Sequence, residues 1–154
     1  MTTLKIIEGN FKTIADNHAM INSYQYGDIW DTATSGTINY PLMFISPEGS
    51  VAKMGEVGFK YCIFVMDLLQ KGKANEVDTS SDTHQILLDI LTELFKGGQQ
   101  ATGGDYAFEL KLRSETITMN EFTDNKFDDE VAGNFCDITL WVEWETNRCQ
   151  IPTT

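Results

Sequence analysis

The chain has 154 residues, 42% of them hydrophobic, including nine Phe, five Tyr and three Trp. That is material for one domain with a substantial core, and it argues against a disordered chain. With 23 acidic side chains against 11 basic ones, the net charge of −12 repels a phosphate backbone and argues against conventional DNA or RNA recognition.

The longest apolar run, "YCIFVMDLL", is too short to span a bilayer, and "MTTLKIIEGNFK" is too broken by polar residues for a secretory leader. A cytosol-like compartment is therefore expected. Three cysteines, Cys62, Cys136 and Cys149, are an odd number, and the first two sit among large apolar residues, so disulfide use is not expected.

Along the chain, Leu4, Ile7, Phe11, Ile14, His18 and Ile21 recur at helical spacing and predict a first helix, firm over residues 10–24, with Gly9 weakening its start and Gly27 ending it. "DIWDTATSGTIN" reads as a loop anchored by Trp30. "YPLMFIS" predicts a short strand and "PEGSVAKMGE" a turn region. "EVGFKYCIFVMDLL" predicts the longest strand, with Val57, Phe59, Tyr61, Ile63 and Val65 on one face and Cys62, Phe64, Met66 and Leu68 on the other. Both faces are apolar, which places it at the sheet centre.

"QKGKANEVDTSSD" reads as a polar connection. "THQILLDILTELF" predicts a second helix, with Asp82 and Gln85 as a capping box, Ile86, Leu87, Ile90, Leu91, Leu94 and Phe95 as its apolar face, and Lys96 with Gly97-Gly98 as the stop. "YAFELKL" and "ETITMNEF" predict a hairpin turning at Arg113-Ser114, "TDNKFDDEVAGN" a charged loop, and Phe135 to Trp144 a closing strand. The order predicts a single α+β domain over 1–154, with a mixed or antiparallel sheet of about five strands and two helices packed on one face. Flexible loops are expected near 28–39, 46–56, 70–80 and 121–134, with an extended tail over 146–154.

No side-chain constellation points to a reaction. His18 lies on the apolar stripe of the first helix and reads as a packing or edge residue; His84 stands near Asp78 and Asp82. Neither joins converging ligands, so no metal or other cofactor is expected. "DTSSDTHQILLD" imitates the start of a calcium loop but has Thr83 where Gly is needed and Asp89 in place of the last Glu. "GKANE" lacks the remainder of a phosphate loop, no Ser sits in a nucleophile elbow, and Cys149 has no histidine nearby in sequence. The run Asp128, Asp129, Glu130 reads as solvated charge.

The closing strand is the unusual element. Cys136, Ile138, Leu140, Val142 and Trp144 share one face, while Phe135 and Trp141 interrupt the polar other side. One tryptophan can fill the subunit's own core; the other then needs a neighbouring subunit, unless the strand is wholly internal to a two-layer fold.

From "FKYCIFVMDLLQKGKANEVDTSSDTHQILLDILTEL" to "DDEVAGNFCDITLWVEWETNRCQIP" the chain resembles the tail-terminator and tail-completion (neck) proteins of tailed bacteriophages, in which an N-terminal helix precedes a long strand, a crossover helix and a final hairpin plus strand. Within it, "VAG…F…ITLWV…NRC" is similar to small head–tail connector proteins of phages infecting Bacteroides-type hosts, the crAss-like group included. The resemblance implies a virion structural protein without enzymatic activity, assembled in the host bacterial cytoplasm. It implies a homo-oligomeric ring of six or twelve copies among connector, portal or tail proteins, through which DNA passes without specific binding and without a membrane. On that reading Trp141, Trp144, Arg148, Gln150 and Pro152 are expected at the subunit interface, and Pro47, Glu48, Val51, Lys53 and Met54 in an inter-ring loop. The rival is a stand-alone small-molecule or peptide-binding module, with the sheet face and Trp30 lining a pocket.

Overall fold

Thr3 opens the fold as a helix N-cap, its side chain accepting from the Ile6 amide at 3.4 Å. The computed structural model describes residues 3–28, 38–70, 74–95, 109–110, 116–124 and 130–143. Helix α1 spans Leu4–Asn17 and buries Ile7, Phe11, Ile14 and Ala15. It begins and ends earlier than the expected 10–24. Gly9 sits inside it without disruption, and the stop is His18, whose backbone is extended.

The His18 ring holds that exit on both sides: Nδ1 accepts from the Met20 amide at 3.1 Å, and Nε2 meets Asp89 at 2.9 Å. Ile21 is buried, but from a turn, so its helical spacing was coincidental. Ser23–Tyr26 then forms strand β1, where the sequence reading had continued the helix.

β1 lies parallel to β2 (Leu42–Lys53), which turns through Met54-Gly55 into β3 (Glu56–Leu68). The expected loop 46–56 is thus the distal half of a long hairpin. Pairing to β3 satisfies its backbone while its side chains stay exposed, and Pro47 falls at a register break between Pro47 and Gly49, where a missing amide is tolerated. Gly55 turns with φ 87°, a left-handed conformation that favours glycine.

Helix α2 spans Glu76–Phe95, starting well before the expected cap at Asp82. Its first turns were hidden because their buried positions are Thr79 and Thr83, not aliphatics. Asn75 precedes the helix and ties down the connection: its Oδ1 accepts from the Gln70 amide and its Nδ2 donates to the Leu68 carbonyl. Gln85, instead of capping, meets Asp89 one turn on. Ile86, Leu87, Ile90, Leu91 and Leu94 are buried as predicted; Phe95 is 39% exposed. Lys96 and Gly97-Gly98 lie outside the described residues.

β4 (Glu109–Leu110), β5 (Met119–Asp124) and β6 (Val131–Glu143) complete the sheet, in the order β1-β2-β3-β6 with β4 and β5 end to end along the outer edge of β6. This is the α+β class predicted, a mixed sheet of five lanes with β3 in the middle. Among the described residues the two predicted hairpin arms do not pair with each other: β4 and β5 are both antiparallel to β6, hence parallel to each other. Leu110 and Met119, nine residues apart in sequence, stand opposite Leu140 and Cys136, which are four apart on β6. Arg113 and Ser114 lie outside the described residues.

Both helices cover one face of the sheet. Met43 and Ile45 of β2, Phe59, Tyr61, Ile63 and Val65 of β3, and Cys136, Ile138, Leu140 and Val142 of β6 pack against them in the main core. The opposite face carries no helix among the described residues. Leu42, Phe44, Met66 and Val131 are buried there beneath Ile38, Tyr40, Phe64 and Phe122.

The stretch "VAGN", expected in a loop spanning 121–134, is instead the start of β6 and its tightest contact. A Cβ on Gly133 would lie 1.9 Å from the Val65 carbonyl oxygen, so only glycine fits. Asn134, 1% exposed, donates through Nδ2 to the Ser80 carbonyl at 2.9 Å and to Thr83 Oγ1 at 3.1 Å, docking α2 onto β6. No described helix is long and apolar enough to cross a membrane.

Candidate functional site

Period-two alternation sends the even residues of β3 and the odd residues of β6 to the helix-free face. Half of that face is aromatic. Phe64 stacks on Phe135 with centroids 5.4 Å apart and meets Phe122 and Phe44 edge to face at 5.8 and 6.3 Å. Phe64, Phe122 and Phe135 remain half-buried. Offset and edge-to-face pairs of this kind add about 0.5–1.5 kcal/mol each beyond burial.

Toward the hairpin turn the same face becomes polar. Trp141 pairs across the ladder with Gly58, and a Cβ there would come within 3.1 Å of the indole, so the missing side chain is what makes room for the ring. Lys53 Nζ stands 4.8 Å from the Trp141 ring centroid and 2.8 Å from Glu56 Oε2. Two residues expected in separate contacts, Trp141 at the subunit interface and Lys53 in the inter-ring loop, therefore touch within one subunit.

Between these zones lie Glu48, Cys62 and Asp137, one from each of β2, β3 and β6. Cys62 is directly opposite Asp137 in the ladder. The irregularity between Pro47 and Gly49 leaves Glu48 as the unpaired residue, and its carboxylate reaches over Cys62 toward Asp137. One donor atom from each of the three lies within 4.8 Å of the others.

Glu48 and Asp137 are exposed, whereas Cys62 is 5% exposed. Partial desolvation and then the Asp137 carboxylate push the Glu48 carboxyl above the ordinary range, with Lys60 pulling the other way. Burial, reinforced by a hydrogen bond to Asp137, pushes the Cys62 thiol up as well. Cys136, on the helix side, is raised to about 12 by burial first and Asp137 second. Both thiols are free and neutral near pH 7.

Pro47, Glu48, Val51, Lys53 and Met54 are all exposed along the hairpin, Met54 by 88%. They lie on a strand and a tight turn, not on a loop. Trp144, Arg148, Gln150, Pro152 and Trp30 fall outside the described residues, as do Asp128, Asp129 and Cys149. His84, Asp78 and Asp82 lie on α2, so the calcium-like spacing belongs to a helix and forms no ion loop.

Asp137, Lys60 and Gly58 were not named from sequence, and Cys62 was read only as a small hydrophobe packed within its strand. Cys62 and Asp137 both lie on the helix-free face, and only the strand register sets them side by side. No family model matches the sequence, and no curated protein matches it.

Proposed function

We propose that the chain is a structural subunit of a phage head–tail connector or tail-terminator ring, built into the virion and holding its neighbours through the helix-free face and the β2–β3 hairpin. The observation that carries this reading is the asymmetry of the sheet. Its two helices seal one face; the other keeps half-buried Phe64, Phe122, Phe135 and Trp141 beside a hairpin that ends in exposed Val51 and Met54. Aromatic and Met side chains of this kind are what interface centres bury.

A closed ring requires one patch to meet a different patch on the next copy, and a projecting hairpin beside an aromatic face supplies two unlike patches on one subunit. In a ring of six or twelve copies the net charge of −12 lets DNA pass without being held. Portal or tail proteins bound above and below are the other partners, and no side chain performs bond-making chemistry.

The test is assembly measured by sedimentation, on the full chain alone and mixed with candidate portal and tail neighbours. Met54→Asp and Trp141→Ala are expected to reduce assembly while leaving the melting temperature close to that of the parent. Variants that assemble normally but melt early reassign both residues to the fold. A particle lacking the protein that still joins capsid to tail overturns the reading.

A further inference from the structure

We propose that Glu48, Cys62 and Asp137 form a binding site for one divalent cation of the zinc class on the helix-free face of the sheet. This does not rest on the ring reading. Three strands each contribute one donor, and the donors converge within 4.8 Å. Cys62 and Asp137 are placed by direct pairing, and Glu48 by the extra residue of the bulge.

The donor chemistry selects the ion. Calcium and magnesium prefer all-oxygen shells of six or more ligands, whereas two carboxylates with one thiolate suit zinc or its softer analogue cadmium. Zinc binds sulfur at about 2.3 Å and carboxylate oxygen at about 2.0–2.2 Å. Donors sharing one tetrahedral ion therefore sit roughly 3.5 Å apart. Closing from 4.8 Å needs a shift of little more than about 1 Å, which the exposed Glu48 side chain can make.

Solvent reaches the site past Glu48 and Asp137, leaving the fourth position for water. On binding, the thiol gives up its proton to solvent. The three anionic ligands then exceed the charge of the cation by one, and Lys60, which already acts on Glu48, offsets that excess. The bound ion would tie β2, β3 and β6 together across the face.

The experiment uses the purified full chain, freed of metal by a chelator and titrated with cadmium and then zinc. The ultraviolet cadmium–thiolate charge-transfer band and the melting temperature are read together. The expected result is a band saturating at one cadmium per chain, with a rise in melting temperature that calcium does not reproduce. Glu48→Gln and Asp137→Asn should each weaken cadmium binding by about tenfold or more. Cys62→Ser should abolish the band, while Cys149→Ser should leave it intact.

Glu48 is exposed, so Glu48→Gln retains the fold and keeps the test decisive even where Cys62→Ser is unstable. The proposal is overturned by a parent chain with no saturable band, by a band that survives Cys62→Ser, by full affinity in Glu48→Gln, or by equal stabilisation with calcium.

Discussion

The two faces of strand β3 both carry large apolar residues in mid-strand but cover them differently. Tyr61, Ile63 and Val65 look toward the helices and are at most 1% exposed. On the reverse, Phe64 is only half-buried although three aromatic rings surround it, and Cys62 is sealed by neighbours that are themselves exposed. The helix side is closed because two amphipathic helices supply a second layer. Among the described residues the other side is covered by side chains of its own sheet and by Ile38 and Tyr40. Hydrophobic residues in a strand thus say that something packs there, but not whether the covering layer is a helix, a neighbouring ring or a partner.

Substitutions can break or sharpen that contrast. The largest effect is expected within the plane of the sheet. Gly133→Ala drives a Cβ into the backbone of β3, which has nowhere to go, and should cost about 4 kcal/mol or more in chemical denaturation. Gly58→Ala meets only the side chains of Thr139 and Trp141 and should cost about 1 kcal/mol. Equal costs would mean that β3 and β6 can separate freely at Gly133.

Next come the two faces themselves. Ile63→Ala should lose about 3 kcal/mol, in the range for a fully buried aliphatic, and Phe64→Ala about 1–2 kcal/mol because part of its ring already meets water. Comparable losses, measured by denaturant midpoint at unchanged slope, would show that the helix-free side is a second full core.

Asn134→Ala removes both bonds that dock α2 and should cost about 1–2 kcal/mol. Protection of the Thr79–Thr83 amides from exchange should fall more than that of Ile90.

The smallest effect is alkaline. Burial, then Glu8, holds the Tyr24 phenol well above its ordinary value. A raised acid favours folding in its neutral form, so this contribution is intact below about pH 10 and is lost as the pH climbs beyond it. Tyr24→Phe should flatten the decline in melting temperature above that pH; an unchanged slope would assign the decline to other groups.

Much of the architecture could be read from side-chain periodicity. The alternation of β3 gave both its faces and its central place, and the apolar stripe from Ile86 to Leu94 gave the body of α2. What escaped had specific causes. The start of α2 buries Thr79 and Thr83, which carry no apolar signal. β1 was absorbed into α1 because Ile21 continued the helical spacing by chance. The "VAGN" segment looked like a loop because it contains a glycine and an asparagine, one needed for close approach to β3 and the other for a buried hydrogen bond. The distal hairpin looked like a turn because its strand is paired through backbone while its side chains face water.

The candidate site was the least legible part. Glu48, Cys62 and Asp137 are separated by 14 and 75 residues in sequence and meet only through strand register and a bulge. Trp141 was visible as an exception to alternation; its seat on Gly58 and its contact with Lys53 were not.

The extra residue at Glu48 also carries a consequence for chain length. Ser46 and Pro47 before it, and Gly49 onward after it, pair with consecutive positions of β3 from Cys62 down to Glu56. Excising Glu48 would restore an unbroken ladder without displacing any other partner. A single-codon deletion at this point is therefore expected to remove the carboxylate while the rest of the hairpin keeps its pairing.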